Sequence, residues 1–196
     1  MALALLGMGS VAPRAQAQRR VESDRYDDIF RKYSKRYFGP GFDWRVFKAQ
    51  GLAESGLDSA ARSRVGARGV MQLMPSTYAE IRSNSPMLRS IDDPEWNIAA
   101  GIMHDRGLWR LWTPHVDEHG RRDFMFGSYN AGEGTILRAR RTAQSRRLDD
   151  GAWTSIETVA PEVPRWRYRE TLGYVRKIRD NIARLDDKGR LRPRKP

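Results

Sequence analysis

Glu54 is a carboxyl in an unusual setting. The stretch GLAESGLDSAARSRVGARGVMQLMPST, residues 51–77, carries Glu54 and Asp58 near its start and no further carboxylate before Glu80. Glycines, arginines, small residues and Gln72 fill the interval. Phe47, Leu52 and Leu57 flank the glutamate, and the helical pattern WRVFKAQGLAES ends near Gly56, which puts Glu54 in a last helical turn. There the carboxyl meets the negative end of the helix dipole, and burial among apolar neighbours further disfavours its charged form. Both effects raise its pKa and keep a proton available near neutral pH, as a general acid requires. Read in isolation, the fragment fits a surface glutamate better.

Three further clusters change that balance. In ARSRVGARGVMQLMP, Ser63 and Gln72 are compact groups able to hydrogen-bond a neutral polar ligand, Gly66 and Gly69 permit close backbone approach, and Met71 and Met74 offer soft apolar contact surface. The plain reading is a turn with core methionines. In FGSYNAGEG, Tyr129 and Asn130 precede two glycines; a tyrosine can stack on a sugar ring, and an asparagine can both donate and accept. The plain reading is a helical corner. In ETLGYV, Glu170 and Tyr174 are four apart and share a helix face, although core packing would equally explain the tyrosine. No glycine-rich loop ending in Lys precedes a helix, so a phosphate loop does not fit. His104, His115 and His119 lack metal-ligand spacing, and no histidine partners a serine nucleophile.

The elements that must position these residues read as helices. SDRYDDIFRKYSKRYF places Tyr26, Ile29, Phe30, Tyr33 and Tyr37 at helical spacing, with Ser23 as a cap and Gly39-Pro40-Gly41 as the stop. Asp43 can cap the helix WRVFKAQGLAES, which ends near Gly56. Pro75 suits the first turn of MPSTYAEI. Asp93 before Pro94 starts PEWNIAAGIMHDRGLWRLW, whose apolar face takes Ile98, Ile102, Trp109 and Trp112. HVDEHGRRD reads as a polar loop, residues 124–129 as a helix broken by NAGEG, and GTILRARRTA as its continuation. Residues 148–166, with Pro161 and Pro164, read as an irregular connection. RYRETLGYVRKIRDNIARL is a last helix with Tyr168, Leu172, Val175, Ile178 and Ile182 on one face. The class is all-α, with at most a minimal β element near residues 63–73.

The chain of 196 residues suits one domain, and its 39% hydrophobic content with six Trp, seven Tyr and six Phe supports a real core. A formal charge of +12 favours anionic partners, among them nucleic acid, an anionic membrane face and a cell-wall polymer. With no cysteine, disulfide scaffolds, thiolate catalysis, Cys-based zinc sites and a lipid-anchored N-terminal cysteine are excluded. The start, MALALLGMGSVAPRAQAQRR, resembles a secretory signal: an apolar run over Ala2–Ala12 and an A-x-A site at residues 15–17, though without a basic n-region. The expected organisation is a signal over residues 1–17, a domain over 22–185 and a basic, disordered tail over 186–196.

Taken in chain order, AESGLDSAARSRVGARGVMQLMPST, SYNAGEGTILRARR and ETLGYVRKI closely resemble the soluble lytic transglycosylase family, lysozyme-like enzymes that cut peptidoglycan. YDDIFRKYS and IDDPEWNIAAGI look most like the catalytic domain of the membrane-bound type F branch, which carries a separate solute-binding-like domain absent from these residues. The resemblance implies a lysozyme-like α fold with a saccharide groove, and Glu54 as catalytic acid. Ser63 and Gln72 would line the groove, Met71 would shape its wall, and Tyr129 and Asn130 would contact the reacting sugar or orient Glu54. Tyr174 would hydrogen-bond near Glu54, and Glu170 would organise its helix. Ser128 stands where the family more often has alanine.

The implied partner is the peptidoglycan glycan strand, whose anionic character suits the positive chain, with no nucleic acid. The resemblance implies no cofactor and no metal. Cell-wall or secretion-system proteins are further candidate partners. The expected location is outside the cytoplasm, periplasmic or wall-associated. Two other readings stay open: a goose-type lysozyme, for which Asp58 is the nearest second carboxylate, and a binding module of a secretion or phage assembly that uses the groove without turnover. A nucleic-acid binder explains the charge alone.

Overall fold

The computed structural model describes residues 24–192, so the expected signal segment and residues 193–196 of the basic end lie outside the described residues. Eight α-helices are present among them. They are α1 (Asp27–Phe38), α2 (Arg45–Glu54), α3 (Pro75–Ser83), α4 (Pro94–Trp112), α5 (Glu118–Ala131), α6 (Glu133–Ser145), α7 (Trp153–Val159) and α8 (Tyr168–Arg184). A 3₁₀ turn, Ala160–Glu162, follows α7. In place of strands, isolated bridges pair Arg62 with Arg68, Arg68 with Leu73, and Leu185 with Leu191. The all-helical expectation and the minimal β element near residues 63–73 are both met.

α4 is the central helix. Asp93 caps it by accepting from the Glu95 amide at 2.9 Å, and Pro94 occupies its first turn, where a missing N–H costs nothing. Ile98, Ala99, Ala100 and Ile102 are fully buried, because α1, α3 and α5 all pack against it. Small residues allow close approach here: a Cβ on Gly101 would stand 2.8 Å from Met71 Cγ. Around α4 a single core runs through Phe30, Phe47, Trp112, Phe124, Ile136, Ile156 and Ile178. Each such side chain contributes roughly 1.5–3 kcal/mol by leaving water. α8 crosses both α2 and α5, presenting Leu172, Val175 and Ile178 inward.

Three segments differ from the sequence expectation. HVDEHGRRD is not a loop: Asp117 accepts from the Gly120 amide at 2.8 Å and caps α5, which starts at Glu118. Its polar first turns face outward, so hydropathy hides the helix. The connection 148–166 contains α7, whose short apolar side buries Trp153, Ile156 and Val159. Beyond Leu185, residues 186–191 form a turn in which Asp186 accepts from the Lys188 and Arg190 amides and Asp187 meets Arg45 at 3.0 Å, where a disordered tail was expected.

Candidate active site

Glu54 is the last residue of α2, as the glycine-punctuated pattern after it requires. α8 lies across that end and holds it in three places. The Tyr174 hydroxyl donates to Glu54 Oε1 at 2.6 Å. Lys177 Nζ donates to the Ala53 carbonyl at 2.6 Å, and Asn181 Nδ2 donates to the Ala49 carbonyl at 3.1 Å. The Lys177 ammonium thus meets one of the carbonyls that a helix end leaves unpaired. Burial raises the Glu54 pKa to about 7, against the opposing effects of the Tyr174 hydrogen bond and the Lys177 charge. Burial also keeps the Tyr174 and Tyr129 hydroxyls protonated far above neutrality, with Glu54 acting in the same sense.

The loop between α2 and α3 folds back over the same helix end. Ser55 Oγ donates to the Val70 carbonyl at 2.9 Å. Asn97, buried in α4, accepts from the Met71 amide at 2.8 Å and donates to the Arg68 and Ile91 carbonyls. Gly69 adopts φ +74 and leaves no room for a side chain, since a Cβ there would lie 2.7 Å from the Asn97 carboxamide. From α5, the Tyr129 hydroxyl donates to the Met71 carbonyl at 2.9 Å, and its ring meets His104 edge-on. Burial lowers the His104 pKa, so its neutral form is favoured.

Among the sequence-predicted residues, Glu54 and Tyr174 are in direct contact, and Tyr129 reaches the Met71 carbonyl of the loop that Ser55 ties to the end of α2. Met71 is a correction: its side chain is 0% exposed and packs on Gly101, so it is core, and it serves the site through its backbone. Gln72 lies in the left-handed region at φ 45 and donates to the Gly69 carbonyl at 2.9 Å. Ser63 Oγ accepts from the Ala67 amide at 2.9 Å. Asn130 is exposed in the last turn of α5. Glu170 is exposed and pairs with Arg167. Asp58 is exposed and caps its own turn through the Ala60 amide.

Sequence reasoning missed Lys177, Asn97, Ser55, and a second carboxyl close enough to interact with Glu54. That carboxyl is Asp105 of α4, fully buried and raised well above the usual carboxylate range by burial, with Glu54 a further cause. One signal was available: residues 98, 102, 105, 109 and 112 trace a single stripe of α4, and Asp105 is the only charged member. Among the described residues no group of three or more His, Asp or Glu gathers to hold a metal ion.

The model of the transglycosylase SLT domain matches residues 29–150. The chain is similar to the membrane-bound lytic murein transglycosylase F of Vibrio cholerae serotype O1, with 29% identity over 154 residues covering 78% of this chain and 27% of that enzyme. It is similar to the enzyme of the same description from Shewanella woodyi, with 28% identity over 181 residues covering 84% of this chain and 37% of that one. The chain therefore spans well under half of these relatives. Among solved structures, the 70 kDa soluble lytic transglycosylase of Escherichia coli matches with a TM-score of 0.59 and 26% identity, over 78% of this chain and 22% of that one. A complex of the 70 kDa soluble lytic transglycosylase with bulgecin A matches with a TM-score of 0.59 and 22% identity, over 87% of this chain and 26% of that one. The helical architecture is thus the lysozyme-like one that the motifs implied.

Proposed function

Since the chain belongs to the transglycosylase SLT domain family, among relatives of type F enzymes, we propose that it is a peptidoglycan lytic transglycosylase domain with Glu54 as its single acid and base. Glu54 protonates the oxygen bridging N-acetylmuramic acid and N-acetylglucosamine, and the bond from that oxygen to the muramic C1 breaks. The substrate's own N-acetyl group quenches the positive charge at C1. Glu54, now a carboxylate, takes the proton from the muramic C6 hydroxyl as its oxygen bonds to C1. The product ends in a 1,6-anhydro ring, no water is consumed, and Glu54 is protonated again.

The observation that carries this reading is the setting of Glu54. A pKa of about 7 leaves both protonation states accessible at neutral pH, and the Tyr174 hydroxyl stabilises the carboxylate that forms midway. Tyr129 and Asn130 stand at the α5 corner to meet the reacting sugar. Ser63 and Gln72 line the approach from the loop, which Asn97 and Ser55 hold in place. The substrate places the enzyme outside the cytoplasm, at the wall, and the net charge of +12 suits an anionic polymer.

A lysozyme reading needs a second carboxylate that activates water or attacks the sugar, at about 5–9.5 Å from the first. Asp58 is turned to solvent as a turn cap, and Asp105 is sealed in the core. Mass spectrometry of digested peptidoglycan decides the matter. Anhydro-muropeptides are expected. Reducing ends would replace the transglycosylase with a hydrolase, and binding without release, alike in wild type and Glu54→Gln, would leave a binding module.

A further inference from the structure

Gln50 and Glu54 are four residues apart on α2 and share a face. Behind them, Gln50 Nε2 donates to Asp105 Oδ1 of α4 at 3.3 Å, and both side chains are 0% exposed. Two oxygens of this pair, Gln50 Oε1 and Asp105 Oδ2, are buried without any partner. Orphaned buried acceptors are uncommon and costly. A proton on Asp105 Oδ2 lets it donate to Gln50 Oε1 and gives both oxygens a partner. Turning the amide over does not remove the need for that proton, because an amide oxygen would then face a carboxylate oxygen.

We propose that Asp105 is a neutral carboxylic acid joined to the Gln50 amide by two hydrogen bonds, and that this pair positions Glu54. The pair anchors the turn of α2 that precedes Glu54 and keeps a second negative charge away from it. The groups around Asp105 suit this. Glu54 comes from α2, the Tyr129 hydroxyl from α5 and the Tyr174 hydroxyl from α8. On α4 itself, His104 favours its neutral form and the Arg106 guanidinium lies over the Phe38 ring. Among the described residues, burial, Gln50 and Glu54 act on the Asp105 carboxyl, and no cation does. Its contribution to the reaction rests on the acid-then-base reading of Glu54: after the first proton transfer Glu54 is an anion, and an ionised neighbour would oppose that step.

The test is carboxyl-carbon NMR of the whole chain labelled at Asp and Glu, without substrate. Asp105 is expected to keep a protonated shift through neutral pH, beyond the range of about pH 3–6 in which ordinary carboxyls ionise. Ionisation of Asp105 in that ordinary range would overturn the proposal. Asp105→Asn reproduces both hydrogen bonds, so the Glu54 midpoint is expected to stay where it is; a fall of about one unit would mean that a charge had been removed. Asp105→Leu strands the Gln50 amide and is expected to shift the Glu54 midpoint as well as lower the melting temperature. Gln50→Leu on that background is expected to restore both, since an apolar pair replaces a polar one. A loss of melting temperature with the midpoint unmoved would make the pair merely structural and overturn the positioning role. The peptidoglycan digest is read separately: absent anhydro products would remove the function reading, while the midpoints still decide the pairing.

Discussion

The Tyr174 hydroxyl meets Glu54 Oε1 at 2.6 Å from 120 residues further along the chain. This bond favours the carboxylate and opposes the burial that favours the acid. Tyr174→Phe is therefore expected to move the Glu54 midpoint upward. A hydrogen bond to a charged group is worth about 1.5–3 kcal/mol, or about one to two pH units. The basic limb of the activity profile should follow it upward while the maximal rate falls. A profile unmoved in Tyr174→Phe would show that the hydroxyl does not act on this proton.

Glu54→Gln removes the carboxyl to which the proposed function assigns both proton transfers. Release of anhydro-muropeptides should fall by about 10²–10⁴-fold, the usual contribution of general acid–base catalysis, or more if both steps depend on it. Below about pH 4.5, where Glu54 is protonated in the folded and the unfolded chain alike, the melting temperature should be retained, because the amide still accepts from Tyr174. Digestion assays and thermal melts on the same preparation check this.

The raised pKa of Glu54 also links its protonation to folding. Its folded value is about 7 against the ordinary glutamate value of 4.5, so the folded state holds the proton longer than the unfolded chain does. Stability from this group is fully present below about pH 4.5 and is lost as pH rises through about 7, by up to about 3 kcal/mol. Glu54→Gln has no such proton to lose. The variant should gain on the wild type in urea melts as pH increases from acid to neutral, and a constant difference would refute the linkage.

Asn97→Ala removes three hydrogen bonds, to the Met71 amide and to the Arg68 and Ile91 carbonyls. Each stranded buried group costs about 1–3 kcal/mol, so a loss of about 3 kcal/mol or more in denaturant stability is expected. Activity should fall further than stability explains, because Met71 also receives the Tyr129 hydroxyl. Urea melts and digestion rates at a temperature where the variant is folded separate the two effects.

Much of this was legible in the residues. The Asp93-Pro94 start and the helical period predicted α4 over the bounds it has. The glycines after Glu54 set the carboxyl at a helix end, and local burial gave its pKa the expected direction. What failed was tertiary. Met71 read as a contact surface because its sequence neighbours are loop-like, yet Gly101 from α4 receives it. The start of α5 was hidden by a polar first turn, although Asp117 was a usable cap signal. Lys177 carries no local mark of its role, and the place of Asp105 in an apolar stripe marks it as buried without naming its partner, since each acts on a helix distant in sequence.

The clamp of α8 on α2 has a consequence for the birth of the protein. Asn181, Lys177 and Tyr174 reach Ala49, Ala53 and Glu54 across separations of 132, 124 and 120 residues. At about 5–20 residues per second, a nascent chain carries its glutamate for several seconds before those partners leave the ribosome. Contacts of such long range are also late to form, because the loop they close must be ordered first. A newly made chain, and any fragment cut before α8, lacks the Tyr174 and Lys177 partners that act on Glu54. On the acid-then-base reading, a competent site requires the last helix to be docked on the second.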